Sequence, residues 1–195
     1  MILLANGLET KKGCLTARKK WKNKDFSEKT IFVFLGNTVF PTIKNQLIDN
    51  LKTLGFCTEN IIFWSNNINF SQESFDYVYI GEYSNARKLA KELNECGLII
   101  PIRKLIKSKK TTFIGASAGA VLSCTKTIFS EVTALFGEAE DIATIDTLNL
   151  TDHVIIPHWR PKEVLIYGKT MNSKNKVFSV PDGKLLVLPD RWGNC

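Results

Sequence analysis

The sequence predicts an α/β fold: a doubly wound, mostly parallel sheet with helices on both faces and a C-terminal β-hairpin. Three observations predict it. Short apolar runs alternate with stretches of helical spacing between residues 30 and 122. The apolar runs are continuous, as in strands covered on both faces. One of them ends in Gly-x-Ser-x-Gly and passes at once into small helix formers. A chain of 195 residues suits one α/β domain over 1–195, large enough to bury a core without staples.

Residues 1–5 read as the first strand, with no basic residues before them and too few apolar ones for a signal peptide. Residues 6–29 are polar and lysine-rich, with weak helical spacing at Leu15, Lys19 and Lys22. Residues 30–35 form a second strand closed by Gly36 and Asn37. From Pro41 to Leu54, apolar residues at 43, 47, 48, 51 and 54 fall on one helix face, and Gly55 supplies the stop. Residues 61–64 and 75–81 are further strands. Ser84 or Asn85 can cap the next helix, whose inner stripe is Leu89, Leu93 and Cys96 before Gly97. Pro101 suits the first turn of another helix, reaching about residue 109 with Ile102, Leu105 and Ile106 inward.

Residues 111–122 then give strand, sharp turn and helix around Ser117, with Cys124 further along that helix as a small core filler. Residues 125–147 are mixed and carry acids. Residues 154–156 are a strand closed by Pro157, His158 and Trp159, and 163–170 a short helix. Residues 177–180 and 184–188, joined by Pro181-Asp182-Gly183, are the terminal hairpin.

Hydrophobic content of 44% with 23% charged residues is that of a folded globular protein, and no run has the length of a membrane span. Five cysteines (14, 57, 96, 124 and 195) lack any C-x-x-C spacing. They read as reduced thiols of a cytoplasmic protein rather than a disulfide framework or zinc site. The net charge of +7 is concentrated at Lys11, Lys12, Arg18, Lys19, Lys20, Lys22 and Lys24 around Trp21. Solvated surface that attracts acidic substrates is preferred here to a nucleic-acid interface. Monomer and homodimer both stay open.

Ser117 sits at the apex of the turn, where side chains at Gly115 or Gly119 would block the approach of backbone to backbone. A nucleophile there needs a base, and His158 follows its own strand at the same carboxyl-end rim, whereas His153 precedes it. The acid that orients His158 is expected at Glu131, with Asp141 second. Oxyanion donors are expected at the N–H of Ala118 and in the loop after Gly81, at Glu82. The α/β-hydrolases share the elbow, but 41 residues between serine and histidine cannot hold their intervening strand–helix units.

Gly115-Ala116-Ser117-Ala118-Gly119-Ala120, the stretch from Asp146 through Leu150 to Pro157-His158, and the closing Pro181-Asp182-Gly183-Lys184 resemble the aspartyl dipeptidase (dipeptidase E) family of serine peptidases, to which cyanophycinase is related. The resemblance covers most of the chain from Thr30 onward. It implies a class I glutamine amidotransferase-like fold, Ser117 as nucleophile, His158 as base, dipeptides with an amino-terminal aspartate as substrates, and no metal or cofactor. The family's glycine run before an asparagine is replaced here by Glu82, Tyr83 and Ser84 ahead of Asn85. Tyr83 and Asn85 are therefore substrate-binding candidates, and Arg160, or Lys162 beside it, a candidate cation for a substrate carboxylate. A catalytically impaired member that binds a ligand or partner through the altered loop is the alternative reading.

Overall fold

The structure is a computed structural model that describes residues 1–36, 40–65, 68, 70, 74–81, 83, 85–108, 110–135, 145–158 and 176–188. Its strands are β1 (Ile2–Leu4), β2 (Ile31–Phe34), β3 (Ile61–Phe63), β4 (Tyr77–Ile80), β5 (Thr112–Ala116), β6 (Val154–Pro157), β7 (Val177–Val180) and β8 (Leu185–Val187). Six of them form one sheet in the order β3-β2-β4-β5-β1-β8. The pairs among β1 to β5 are parallel, and β8 closes the edge antiparallel to β1. β6 and β7 make a separate parallel pair.

The continuous apolar runs are explained by two cores. Alternate residues of one strand point to opposite faces, so Leu3, Phe32, Phe34, Val78, Ile80 and Phe113 fill one cluster. Ile2, Leu4, Ile31, Val33, Tyr79 and Ile114 fill the other. A strand buried on both sides gains roughly 1.5–3 kcal/mol from each large apolar side chain. It therefore has no polar face to show.

Helices α1 (Lys11–Lys20) and α2 (Pro41–Leu54) cover the second cluster, the first through Cys14 and Ala17 and the second through Leu47, Leu51 and Leu54. Gly55, at φ 109°, ends α2 in the left-handed conformation that a side chain resists. Trp21, amid the lysines that follow α1, is turned inward, edge-on to Phe26 at 5.6 Å. Helices α3 (Ala86–Glu95), α4 (Ile99–Lys107), α5 (Ala118–Val121) and α6 (Lys126–Leu135) cover the other face. Among the described residues, no helix is long and apolar enough to cross a membrane.

Three local expectations are corrected. β7 and β8 have the expected positions, but the turn at Pro181-Asp182-Gly183 carries the chain from one sheet to the other, so the two strands do not pair as a hairpin. The elbow helix is a single turn, and Cys124 lies beyond it, bridged to Thr151. Leu15 is 48% exposed, because the buried stripe of α1 runs through Gly13, Cys14 and Ala17. The expected helix at 163–170 lies outside the described residues.

Candidate active site

Ser117 joins β5 to α5 with φ 49° and ψ −113°, a conformation an L-residue with a side chain adopts only when its surroundings impose it. Here they do. Ser117 N–H donates to Leu4 O at 2.9 Å, and Ser117 O accepts from Ala120 and Val121. The flanking glycines are sterically required. A Cβ on Gly119 would stand 2.3 Å from Ile80 O, and one on Gly115 would stand 2.7 Å from Gly119 O. The elbow thus rests directly on the end of β4. Its strain, of order 1–3 kcal/mol, is held by backbone contact on both sides.

His158 ends β6 at φ 68°, with its N–H donating to Val180 O at 2.9 Å. Its Nε2 lies 2.9 Å from Ser117 Oγ, and its Nδ1 lies 2.7 Å from Asp182 Oδ1. Asp182 takes its place from the parallel register. Pro157 stands opposite Val180, so the residues just past both strands emerge at the same end.

Hydrogen bonding to His158, which outweighs a smaller desolvation penalty, holds the Asp182 carboxyl below the usual carboxylate range, with Lys12 and Asn6 adding to the effect. An ionised Asp182 accepts a hydrogen bond from Nδ1–H, which leaves Nε2 to accept from the Ser117 hydroxyl. The three side chains form one chain of hydrogen bonds from carboxylate to hydroxyl.

The carboxylate that meets His158 is Asp182 and not Glu131, where it was expected. Glu131 is exposed on α6, whose inner face is Ile128, Phe129 and Val132. No hydrogen bond or ion pair joins it to His158 among the described residues. Asp141 lies outside the described residues. An acid two residues past a strand is the local signal for Asp182, and the pairing of that strand with the one bearing His158 has no local signal.

Ala118 N–H opens α5 and has no protein acceptor among the described residues. Gly81 N–H is taken by Phe34 O at 3.0 Å, while Glu82 lies outside the described residues. Asn85 caps α3, its Oδ1 accepting from Lys88 N–H at 2.8 Å. Tyr83 donates its hydroxyl to Glu92 Oε1 at 2.6 Å, and a Cβ on Gly36 would meet its ring at 2.5 Å. Both are held by the scaffold at the rim. Arg160 and Lys162 lie outside the described residues. His153 is buried against Phe178, with Asp152 Oδ1 3.3 Å from its Nδ1.

Cys124 is fully buried, and desolvation pushes its thiol up to about 12, so it stays protonated and offers no nucleophile. No cluster of three or more His, Cys, Asp or Glu side chains able to hold a metal ion occurs among the described residues.

The model for peptidase family S51 matches residues 46–192, a span that includes Ser117, His158 and Asp182. Eleven solved chains match. One, a 1.5 Å crystal structure named as a candidate peptidase E from Listeria monocytogenes EGD-e, superposes with a TM-score of 0.62 at 17% identity, over 94% of this chain and 91% of that one. No curated protein matches the sequence.

Proposed function

We propose, because this chain belongs to peptidase family S51 and is a serine-type peptidase, that it hydrolyses short peptides, dipeptides with an amino-terminal aspartate first among them, through Ser117, His158 and Asp182. The observation that carries the mechanism is the unbroken hydrogen-bond line from Asp182 through His158 to Ser117 Oγ. His158 Nε2 takes the hydroxyl proton as Oγ attacks the scissile carbonyl carbon. The carbonyl oxygen becomes an oxyanion beside the Ala118 N–H, which has no protein acceptor among the described residues. Collapse of that adduct breaks the C–N bond, and the imidazolium returns its proton to the departing amine. Water, deprotonated by His158, then releases the acyl group and restores the serine. Asp182 remains ionised and stabilises the imidazolium in each half-reaction.

The preference for an acidic residue draws on the charge of the chain. At +7 overall, the protein attracts small anionic peptides at low ionic strength. Membership of a peptidase family weighs against the binding-module alternative.

Hydrolysis of Asp-Leu, Glu-Leu, Leu-Leu and N-acetyl-Asp-Leu, followed by amine release, tests this reading. Asp-Leu is expected to have the highest kcat/KM, and Ser117→Ala is expected to abolish its cleavage. Equal cleavage of Leu-Leu overturns the aspartate preference. Asp-Leu cleavage that survives Ser117→Ala overturns the mechanism.

A further inference from the structure

The turn that carries Asp182 is held from the far end of the chain. Asn6, just past β1, accepts the Gly183 N–H through Oδ1 at 2.9 Å and brings its Nδ2 to 3.5 Å from Asp182 Oδ1. Lys12, in the first turn of α1, places Nζ 3.7 Å from Asp182 Oδ2. Its stem lies along the turn, since a Cβ on Gly183 would meet Lys12 Cε at 2.9 Å. The Thr16 hydroxyl is 3.2 Å from Gly183 O. Gly183 itself has φ 72°, so the turn is one that a left-handed residue closes.

Behind Asp182 opens a cleft of about 790 Å³ lined in part by Lys12, Lys19, Lys20 and Lys184. The carboxylate therefore has His158 on one side and a basic wall on the other. All the residues that hold it from β1 and α1 lie upstream of the stretch matched by the family model.

We propose that Asn6, supported by Lys12, is a positioning residue of the reaction: it pins the Pro181-Asp182-Gly183 turn to β1 so that Asp182 stays on His158 Nδ1. The proposal rests on Asp182 being the acid that orients His158. Asn6 touches neither His158 nor Ser117 among the described hydrogen bonds, so it acts only through Asp182. Without the pin, the exposed turn loses its tie to β1 and keeps the contacts of Lys12 and Thr16 from α1. A displacement of about 1 Å at the acid is enough to cost up to a hundredfold in rate.

The test is the rate at which a fluorophosphonate labels Ser117 in the full chain, measured for Asn6→Ala, Asn6→Asp and Lys12→Met, each alone and combined with Asp182→Asn. Asp182→Asn is expected to slow labelling by about 10³-fold. Asn6→Ala is expected to slow it about tenfold, and to add nothing in the Asp182→Asn background. Asn6→Asp keeps the acceptor for Gly183 N–H but sets a like charge beside Asp182. It is expected to label more slowly than Asn6→Ala at low salt and to recover partly at 0.5 M salt, as exposed charges are screened. Labelling of Asn6→Asp at the wild-type rate at low salt, with the Gly183 N–H acceptor kept and a like charge set beside Asp182, overturns the proposal.

Lys12→Met removes only an exposed charge. Its expected slowing of about threefold, also lost in the Asp182→Asn background, tests the same coupling if Asn6→Ala does not fold. Wild-type labelling by Asp182→Asn removes the triad reading and this proposal together. A slow Asp182→Asn with losses that multiply in the double variants overturns the proposal alone.

Discussion

His158 Nδ1 meets Asp182 Oδ1 at 2.7 Å because β6 and β7 run parallel and end together, at Pro157 just before His158 and at Val180 before the turn that carries Asp182. The carboxylate that meets the histidine thus follows it in sequence. Its removal has a definite consequence. Asp182→Asn is expected to lower kcat for dipeptide cleavage by about 10³–10⁴-fold, by placing a donor where Nδ1–H needs an acceptor. Glu131→Gln, on the exposed face of α6, is expected to change it by less than about twofold. Parallel kinetics on the two variants check both statements.

Gly119 cannot accept a methyl group without moving backbone. Its Cβ would stand 2.3 Å from Ile80 O, at the contact that seats the elbow against β4. Gly119→Ala is expected to cost about 3 kcal/mol of stability and most of the activity, as overpacking against rigid backbone does. Gly97→Ala, at φ 67° with open space around it, is expected to cost only about 1 kcal/mol. Urea midpoints of the two variants make the comparison.

Asp76 ties the start of β4 to the start of β2, accepting from Thr30 N–H at 3.0 Å, Thr30 Oγ1 at 3.1 Å and Lys29 Nζ at 2.9 Å. Desolvation pushes its carboxyl up, but these hydrogen bonds outweigh it and hold the pKa below the ordinary value. A lowered folded pKa contributes stability that is fully present above the unfolded value near 4 and is lost as pH falls through the folded value. With a third of the side chain exposed, about 1 kcal/mol is at stake. Thermal melts from pH 6 to pH 2.5 are expected to show a smaller acid-induced loss in Asp76→Asn than in the wild type.

The Cys124 thiol, raised to about 12 inside the core, is expected to resist iodoacetamide at pH 8 in the native state and to react once urea unfolds the chain. Mass spectrometry of the peptide that contains it supplies the check.

Patterns confined to a short window were readable from the sequence. Helix α2 runs from Pro41 to its Gly55 cap, Asn85 caps α3, and the elbow joins a strand to a helix, because each depends on side chains within a few residues. The two-sided burial of β2, β4 and β5 was likewise written in their unbroken apolar runs. Helix α6 lies in a stretch expected only to be mixed, although Ile128, Phe129 and Val132 fall on one helical face. What could not be read was pairing between distant segments. β8 lies on β1, with Leu188 N–H donating to Met1 O at 3.1 Å. The partner of His158 depends on β7 joining β6, and nothing local to Asp182 distinguishes that from a hairpin.

Whether Ser117 is the nucleophile is decided by a fluorophosphonate probe followed by mapping of the modified peptide. Covalent labelling is expected at Ser117, lost in Ser117→Ala and slowed at least a hundredfold in His158→Ala. A native protein that stays unlabelled, or one labelled at another residue while Ser117 remains free, would contradict that assignment.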